Sequence, residues 1–381
     1  MKNAKERKLL FIVNVDWYFK LHWLDRMYAA KKAGYEVYLV TNFSDEGLFQ
    51  DLKTAGIGVF NFNLSRAGLN PFVEFWAIIG LFKLVNRIEP DLIHSITMKP
   101  NIYAGMIARI KKLPIVCSVT GLGVIFSRKS VKNHFVKVLI SFFYRLISKN
   151  IKSIFLFENN SDRELFINKG IVSSVNSKRI SGAGVNVEAY NYTREDNDSI
   201  PSILFAARLL QDKGLRSLIE AVRLLRERGL SVELNVAGIF DKSAQNAISE
   251  KQIKKWSDDG DIVWLGTRND VAELISLSSI VCLPTTYGEG VPRILIESCA
   301  CGRAVVTTNV SGCNEFVVDG YNGLLVEPNN VVDLAKALRL LIEDAALREK
   351  LGKNGRILVV NEYSTGIVID QTLTTYTDLL V

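Results

Sequence analysis

At 381 residues, with 48% hydrophobic and 23% charged residues, the chain is too long for one ordinary domain. It is also too apolar for a disordered or collagen-like protein. Dividing by roughly 150 residues per domain leaves two or three, and two fits best. The net charge of +7 is unevenly shared: residues 1–190 hold 27 Lys+Arg against 14 Asp+Glu, and residues 191–381 hold 20 against 26. The five cysteines follow neither metal-ligand nor disulfide-framework spacing, and Cys299 and Cys301 stand as CxC with no histidine cluster. Reduced thiols of a cytoplasmic protein are therefore expected.

The N-terminal residues 1–8 are polar and basic and run straight into an apolar block at 9–15. An apolar stretch of about 7–15 residues ending in a small-residue cleavage site, as a secretory signal needs, is missing. The longest uncharged helical run, 75–82, falls far short of the roughly 20 residues that cross a bilayer. A cytoplasmic chain without a membrane span is the expectation.

Short β-branched runs alternate with helical stretches. The pattern predicts strands at 9–15, 36–40, 58–62, 92–95, 115–119 and 153–157, then at 202–206, 232–237, 262–265, 280–283, 304–308 and 323–326. Amphipathic helices are predicted between them, among others at 24–32, 214–228, 271–276 and 332–343. Near-continuous apolar strands spaced by helices indicate parallel sheets covered on both faces. Two sets of six indicate an α/β protein of two doubly wound, Rossmann-like domains. The polar, acidic stretch 191–201, ending in Pro201, sets the boundary: domains at 1–190 and 191–381, with the last helix (about 364–381) free to pack back on the first. Ligands of such sheets sit beyond the strands' carboxyl ends, so a cleft between the two domains is the default active site.

No acidic residue stands between Asp91 and Glu158, while eleven Lys/Arg do. Part of this stretch interleaves Arg128, Lys129, Lys132, Lys137, Arg145, Lys149 and Lys152 with aromatic and aliphatic residues. A helix of that kind suits an anionic membrane surface. The plainer reading is a core-packing helix with a solvated Lys/Arg face. No nucleic-acid module is recognised, so nucleic acid is not an expected partner.

The richest segment for chemistry is 287–302 (YGEGVPRILIESCACG), which follows a predicted strand. Its glycines let the backbone approach a ligand, and Pro292 suits a helix start, which would present free N–H groups and a positive dipole end to an anion. Glu289 and Glu297 form an E-x7-E pair. Side chains lean toward a helix N-terminus, so Glu297 can reach back toward whatever the loop holds. Two such carboxylates suit sugar hydroxyls; direct acid/base hydrolysis is the weaker alternative. Arg208 and Lys213 follow the strand at 202–206 and would supply cations to a phosphate, unless they are only surface charge. Gly121 and Gly123, after the strand at 115–119, permit close backbone approach, although a plain tight turn explains them as well. His22 and His94 are acceptor-side candidates or structural, and His134 lies in the basic stretch.

The segments 208–214 (RLLQDKG) and 287–328 (YGEGVPRILIESCACGRAVVTTNVSGCNEFVVDGYNGLLVEP) resemble the retaining glycosyltransferases of family 4, which have the GT-B architecture of two Rossmann-like domains facing across a cleft. The likeness extends through Phe157-Glu158-Asn159 with Asp162-Arg163, Gly182-Ala183-Gly184-Val185-Asn186, Asp91-Leu92-Ile93-His94, Lys99-Pro100-Asn101 and Val119-Thr120-Gly121-Leu122-Gly123. It implies that Arg208 and Lys213 hold a nucleotide-sugar diphosphate and Glu297 the ribose. Glu289, with the backbone of Gly290 and Val291, would hold the transferred sugar, and Pro292, Arg293 and Arg268 join the donor-side candidates. No metal and no further cofactor is expected: two cations and a helix terminus neutralise the diphosphate. Residues 65–72 (SRAGLNPF), with the TGLG and GCNE segments, are similar to those of bacterial enzymes adding N-acetylhexosamine to polyprenyl-diphosphate-linked sugars. That resemblance favours an α-1,3-N-acetylgalactosaminyl transfer from a UDP-sugar during surface-polysaccharide assembly, with the enzyme peripheral on the inner membrane face. GDP-mannose, UDP-glucose or UDP-galactose as donor, or a UDP-sugar 2-epimerase, are the alternatives. Trp23, Asn314 and Asn186 depart from common Arg, Arg and Asp, and Trp23 is expected to alter the acceptor side.

Overall fold

The computed structural model describes residues 7–64, 70–122, 131–150, 152–196, 199–241, 244 and 246–381. The chain divides into two units: one runs to Ala183 and takes in Gly366–Val381, and the other is Gly184–Thr365.

The first unit is built on strands β1 (Arg7–Ile12), β2 (Tyr35–Thr41), β3 (Gly58–Asn61), β4 (Leu92–Ile96), β5 (Ile115–Val119), β6 (Ser153–Phe157) and β7 (Ser177–Arg179). They form one parallel sheet in the order β3-β2-β1-β4-β5-β6-β7. Alternation across the sheet explains the unbroken apolar runs. Leu10, Ile12, Ile93, Cys117 and Phe155 enter a core on one face, and Leu9, Phe11, Leu92, Val116 and Leu156 enter a core on the other. Both faces are covered, so both parities of each strand must be apolar. The closing helix Thr365–Leu380 adds Tyr376 and Leu379 to the second of these cores. The three-residue edge strand β7 carries no periodic signal and exists only through its pairing with β6.

The second unit carries β8 (Ser202–Arg208), β9 (Glu233–Ile239), β10 (Val263–Gly266), β11 (Ile280–Leu283), β12 (Ala304–Thr308) and β13 (Gly323–Val326). Their order is β10-β9-β8-β11-β12-β13, again all parallel. Strand order therefore reverses between β8 and β11. The helix Leu215–Glu227 shows why the chain folds so: Leu215, Leu218, Ile219, Val222 and Leu225 repeat at helical spacing and are all buried.

Candidate nucleotide-sugar site

In a doubly wound sheet the loops beyond β8 and β11 diverge to opposite faces and leave a crevice at their carboxyl ends. Arg208 is the last residue of β8, and Lys213 ends the one-turn 3-10 helix Gln211–Lys213. Gly214 then takes a left-handed φ of 82° before the next helix, and a Cβ there would lie 2.0 Å from the Pro284 carbonyl oxygen. Only glycine lets the two loops meet so closely. The Thr286 amide donates to the Asp212 carbonyl at 2.8 Å, and the Thr285 and Thr286 hydroxyls donate to the same oxygen at 3.2 Å.

The loop after β11 is in turn held from the other side. The Glu289 amide donates to the Ser311 carbonyl at 3.0 Å. Gly312 has φ 83°, and a Cβ on it would fall 1.5 Å from the Gly290 carbonyl oxygen. Three loops, after β8, β11 and β12, thus lock one another in place.

Within this frame the Lys213 ammonium pairs with the Glu289 carboxylate, with the Tyr287 ring centroid 5.5 Å from Nζ. Burial alone would lower the Lys213 pKa, but the charge of Glu289 together with Tyr287 more than reverses this and holds it above the ordinary lysine value. Arg208 donates from Nη1 to Asp241 Oδ2 at 3.2 Å and keeps about a third of its side chain open to solvent. Val291 is buried, and Pro292, in extended conformation, caps the helix Arg293–Ala300. Glu297 is 6% exposed and accepts from Arg293 Nε at 2.6 Å. Burial pushes its carboxyl above the usual range, against the lowering effects of Arg293 and a Tyr190 hydrogen bond.

The structure thus gathers Arg208, Lys213, Glu289, Gly290, Val291 and Pro292 at the end of β8 and on two loops that touch, with Arg293 and Glu297 on the helix that follows the second loop. Arg268 is not among them. It follows the edge strand β10, two strands from β8, and its hydrogen-bond partner among the described residues is Asp270. Exposed on both sides, that pair is a surface ion pair, and the structure does not bring Arg268 to the cluster. Asp241 and Tyr190 are the reverse case. Each orients a site side chain from a distant loop, Asp241 from 33 residues away, and no local pattern marks either.

In the first unit His94 takes the structural role of its two expected ones, and its acceptor-side role is corrected. It is completely buried, with Nδ1 2.5 Å from the Tyr376 hydroxyl and Nε2 2.8 Å from the Ser118 hydroxyl. A side chain enclosed by Phe11, Trp23 and Tyr376 cannot touch an acceptor; it ties the closing helix to the sheet. Trp23 is buried too, under the Arg26 guanidinium at 4.0 Å, so its substitution for a common Arg acts on the core. His22 is half-buried against Tyr18, with ring centroids 4.5 Å apart. Gly121 sits just beyond β5 with φ 110°, and Gly123 lies outside the described residues, as do Arg128 and Lys129. Asn186 accepts from the Glu188 and Ala189 amides, the task an Asp would perform there. Among the described residues no group of three or more His, Cys, Asp or Glu is placed to hold a metal ion.

Residues 8–158 match the family described as glycosyl transferase 4-like, and residues 194–358 match glycosyl transferases group 1. Over 318 residues, 80% of this chain and 82% of the relative, the sequence is 30% identical to the N,N'-diacetylbacillosaminyl-diphospho-undecaprenol alpha-1,3-N-acetylgalactosaminyltransferase of Campylobacter jejuni. The chain belongs to the family 4 glycosyltransferases. This glycosyltransferase is also 24% identical, over 80% of each chain, to the UDP-Gal:alpha-D-GlcNAc-diphosphoundecaprenol alpha-1,3-galactosyltransferase of Escherichia coli. Its GT-B fold is shared with sucrose-phosphate synthase from Thermosynechococcus elongatus, at a TM-score of 0.81 and 17% identity over 98% of this chain and 99% of that one. In this glycosyltransferase the two family matches fall on the two units, and the Arg208, Lys213 and Glu289 cluster lies wholly in the second.

Proposed function

We propose that this glycosyltransferase moves N-acetylgalactosamine from its UDP-sugar, in α-1,3 linkage and with retention, onto a polyprenyl-diphosphate-linked saccharide during assembly of a bacterial surface glycan. The reaction would take place at the inner face of the membrane. One observation carries the donor half: two cations, Arg208 and Lys213, stand beside a glycine-flanked carboxylate at the strand-order reversal of the second sheet. The acceptor half is supported by the relatives from Campylobacter jejuni and Escherichia coli, whose names both specify undecaprenyl-diphosphate-linked sugars.

In this reading the bond between the anomeric carbon and the diphosphate oxygen breaks, and negative charge grows on the leaving phosphate. Arg208 and Lys213 stabilise that charge, each contributing on the order of 10²–10³ in rate, as preorganised donors do. Glu289 and the Gly290 and Val291 backbone orient the sugar, and Glu297 takes the ribose hydroxyls. The acceptor hydroxyl attacks from the face the phosphate leaves, and the departing phosphate oxygen takes its proton. No step needs a metal ion.

The test is a panel of nucleotide sugars against polyprenyl-diphosphate-linked acceptors in detergent, with the product linkage read by NMR. Lys213→Ala and Arg208→Ala should each depress turnover by orders of magnitude, and near-normal rates in both would refute the diphosphate assignment. The Escherichia coli relative's UDP-galactose donor favours a second reading, galactosyl transfer, which the same panel separates. Donor incubated alone should stay unchanged; conversion to an isomeric sugar nucleotide would mark an epimerase instead.

A further inference from the structure

Each cation of the candidate site is paired with a carboxylate: Arg208 with Asp241, and Lys213 with Glu289. The two pairs differ in freedom. Asp241 stands just beyond β9, and Arg208 is partly exposed, so two side chains meet at the rim where water reaches them. Lys213 and Glu289 are both largely buried, and their backbones are fixed. The Lys213 amide donates to the Leu210 carbonyl at 3.1 Å, and the Glu289 amide to the Ser311 carbonyl at 3.0 Å. The next carbonyl, that of Gly290, lies where a Cβ on Gly312 would fall. The Tyr287 ring, its centroid 5.5 Å from Lys213 Nζ, stands on a further side. The Glu289 carboxylate therefore leaves Lys213 only by turning its own side chain.

That geometry sets a condition on any phosphate that Lys213 holds. An ammonium has three N–H donors, so a phosphate oxygen and the carboxylate can share it. Two oxygens bonded to one nitrogen then stand about 4–5 Å apart. In a pocket screened from water, like charges at that distance oppose each other more strongly than they would in solvent. A bare diphosphate brings nothing to offset this. A nucleotide sugar brings hydroxyl groups, which donate to the carboxylate as it turns from Lys213, so that one partner is exchanged for another. Asp241 is the contrast, because water at the rim takes up whichever group the phosphate displaces.

We propose that Glu289 makes this glycosyltransferase select a glycosyl-bearing nucleotide over the bare nucleoside diphosphate, by opposing a diphosphate on Lys213 unless hydroxyls of the attached sugar take the carboxylate over. The proposal rests on the reading of Arg208 and Lys213 as the cations of the diphosphate, and it gives Glu289 a role beyond orienting the sugar. The same difference acts on the product. Once the glycosyl group has passed to the acceptor, the nucleoside diphosphate has a terminal phosphate that carries further negative charge, and it has no sugar hydroxyl for Glu289. The side chain that favours the donor thus favours release of what remains of it.

The experiment is calorimetry of nucleotide binding to the full chain, without acceptor, using UDP, GDP, UDP-N-acetylgalactosamine and UDP-galactose. In Glu289→Gln, which keeps the shape of the side chain, the diphosphate that the parent binds should bind about tenfold tighter. The preference for sugar nucleotide over diphosphate should fall by more than that, since the sugar also loses its carboxylate. Glu289→Ala should move both quantities the same way, so the result does not depend on one variant folding. Glu289→Asp, which keeps the charge, should bind the diphosphate no tighter than the parent. Asp241→Asn should change the affinities for diphosphate and sugar nucleotide by one common factor and leave the preference as it was. Diphosphate affinity unchanged or weaker in both Glu289→Gln and Glu289→Ala overturns the proposal, because Glu289 would then serve only to hold Lys213. Lys213→Ala separates this from the reading beneath it. If that variant binds diphosphate as the parent does, the cation assignment fails and the proposal with it; if it binds weakly while removal of the Glu289 charge gains nothing, the proposal alone fails.

Discussion

Lys213 and Glu289 stand 76 residues apart in sequence and form an ion pair whose side chains are only 8% and 16% exposed. Such a pair fixes both groups and leaves neither affordable alone. Lys213→Ala should cost about 3–5 kcal/mol of stability, because it strands a carboxylate away from water. Lys213→Ala combined with Glu289→Gln should recover much of that stability yet remain inactive. Thermal unfolding set beside turnover separates the two effects; recovery of activity in the double variant would show that the pair is only structural.

Glu297 gives a stability prediction with a definite sign. Burial raises its pKa above the ordinary 4.5, so folding favours the protonated form. That contribution is full below about pH 4.5 and is lost as pH rises through the folded value. Glu297→Gln should therefore unfold at a higher temperature than the parent at neutral pH, with the gap closing toward pH 4.5, while its affinity for nucleotide falls. Equal unfolding temperatures across that range would contradict the burial argument.

His94 predicts the opposite slope. Enclosure holds its pKa well below 6.5, so the folded state resists protonation that the unfolded chain accepts. Stability contributed above pH 6.5 is lost as pH falls toward the folded value, by about 1.4 kcal/mol per pH unit. Denaturant unfolding of the parent should show this loss, and His94→Gln should flatten it. The same variant should leave the Michaelis constant for acceptor nearly unchanged.

Gly312→Ala tests the lock among the three site loops. The new methyl group would meet the Gly290 carbonyl at 1.5 Å, on a backbone already at φ 83°. A loss of about 2–4 kcal/mol is expected, or a displaced Gly290 loop with nucleotide affinity at least tenfold weaker. Calorimetry of nucleotide binding and thermal unfolding together report which occurs. An alanine variant unchanged in both would mean that the loops are not held as described.

The sequence by itself determined every strand but β7, and it marked the residues that cluster beyond β8 and β11. Burial on both faces favours apolar residues at both parities of the central parallel strands, and this writes runs such as Leu9 to Ile12 that periodicity can find. Arg208, Lys213 and Glu289 lie in or just after a strand's carboxyl end, and Glu297 on the helix that follows, so the topological rule points to them without coordinates. Tertiary structure alone decided the rest. His94 carries a motif, yet it serves the core because Tyr376, 282 residues away, closes over it. Arg268 sits like Arg208 after a strand, but strand order sends it to the edge of the sheet. Phe135, Val138, Leu139 and Phe142 form an exposed stripe on the helix Val131–Ser148 that could not be told from a core stripe, because an apolar period shows that a face exists and not what covers it. Hydrophobic pattern is local to a segment, whereas burial, pairing and charge environment depend on chain that arrives from far away.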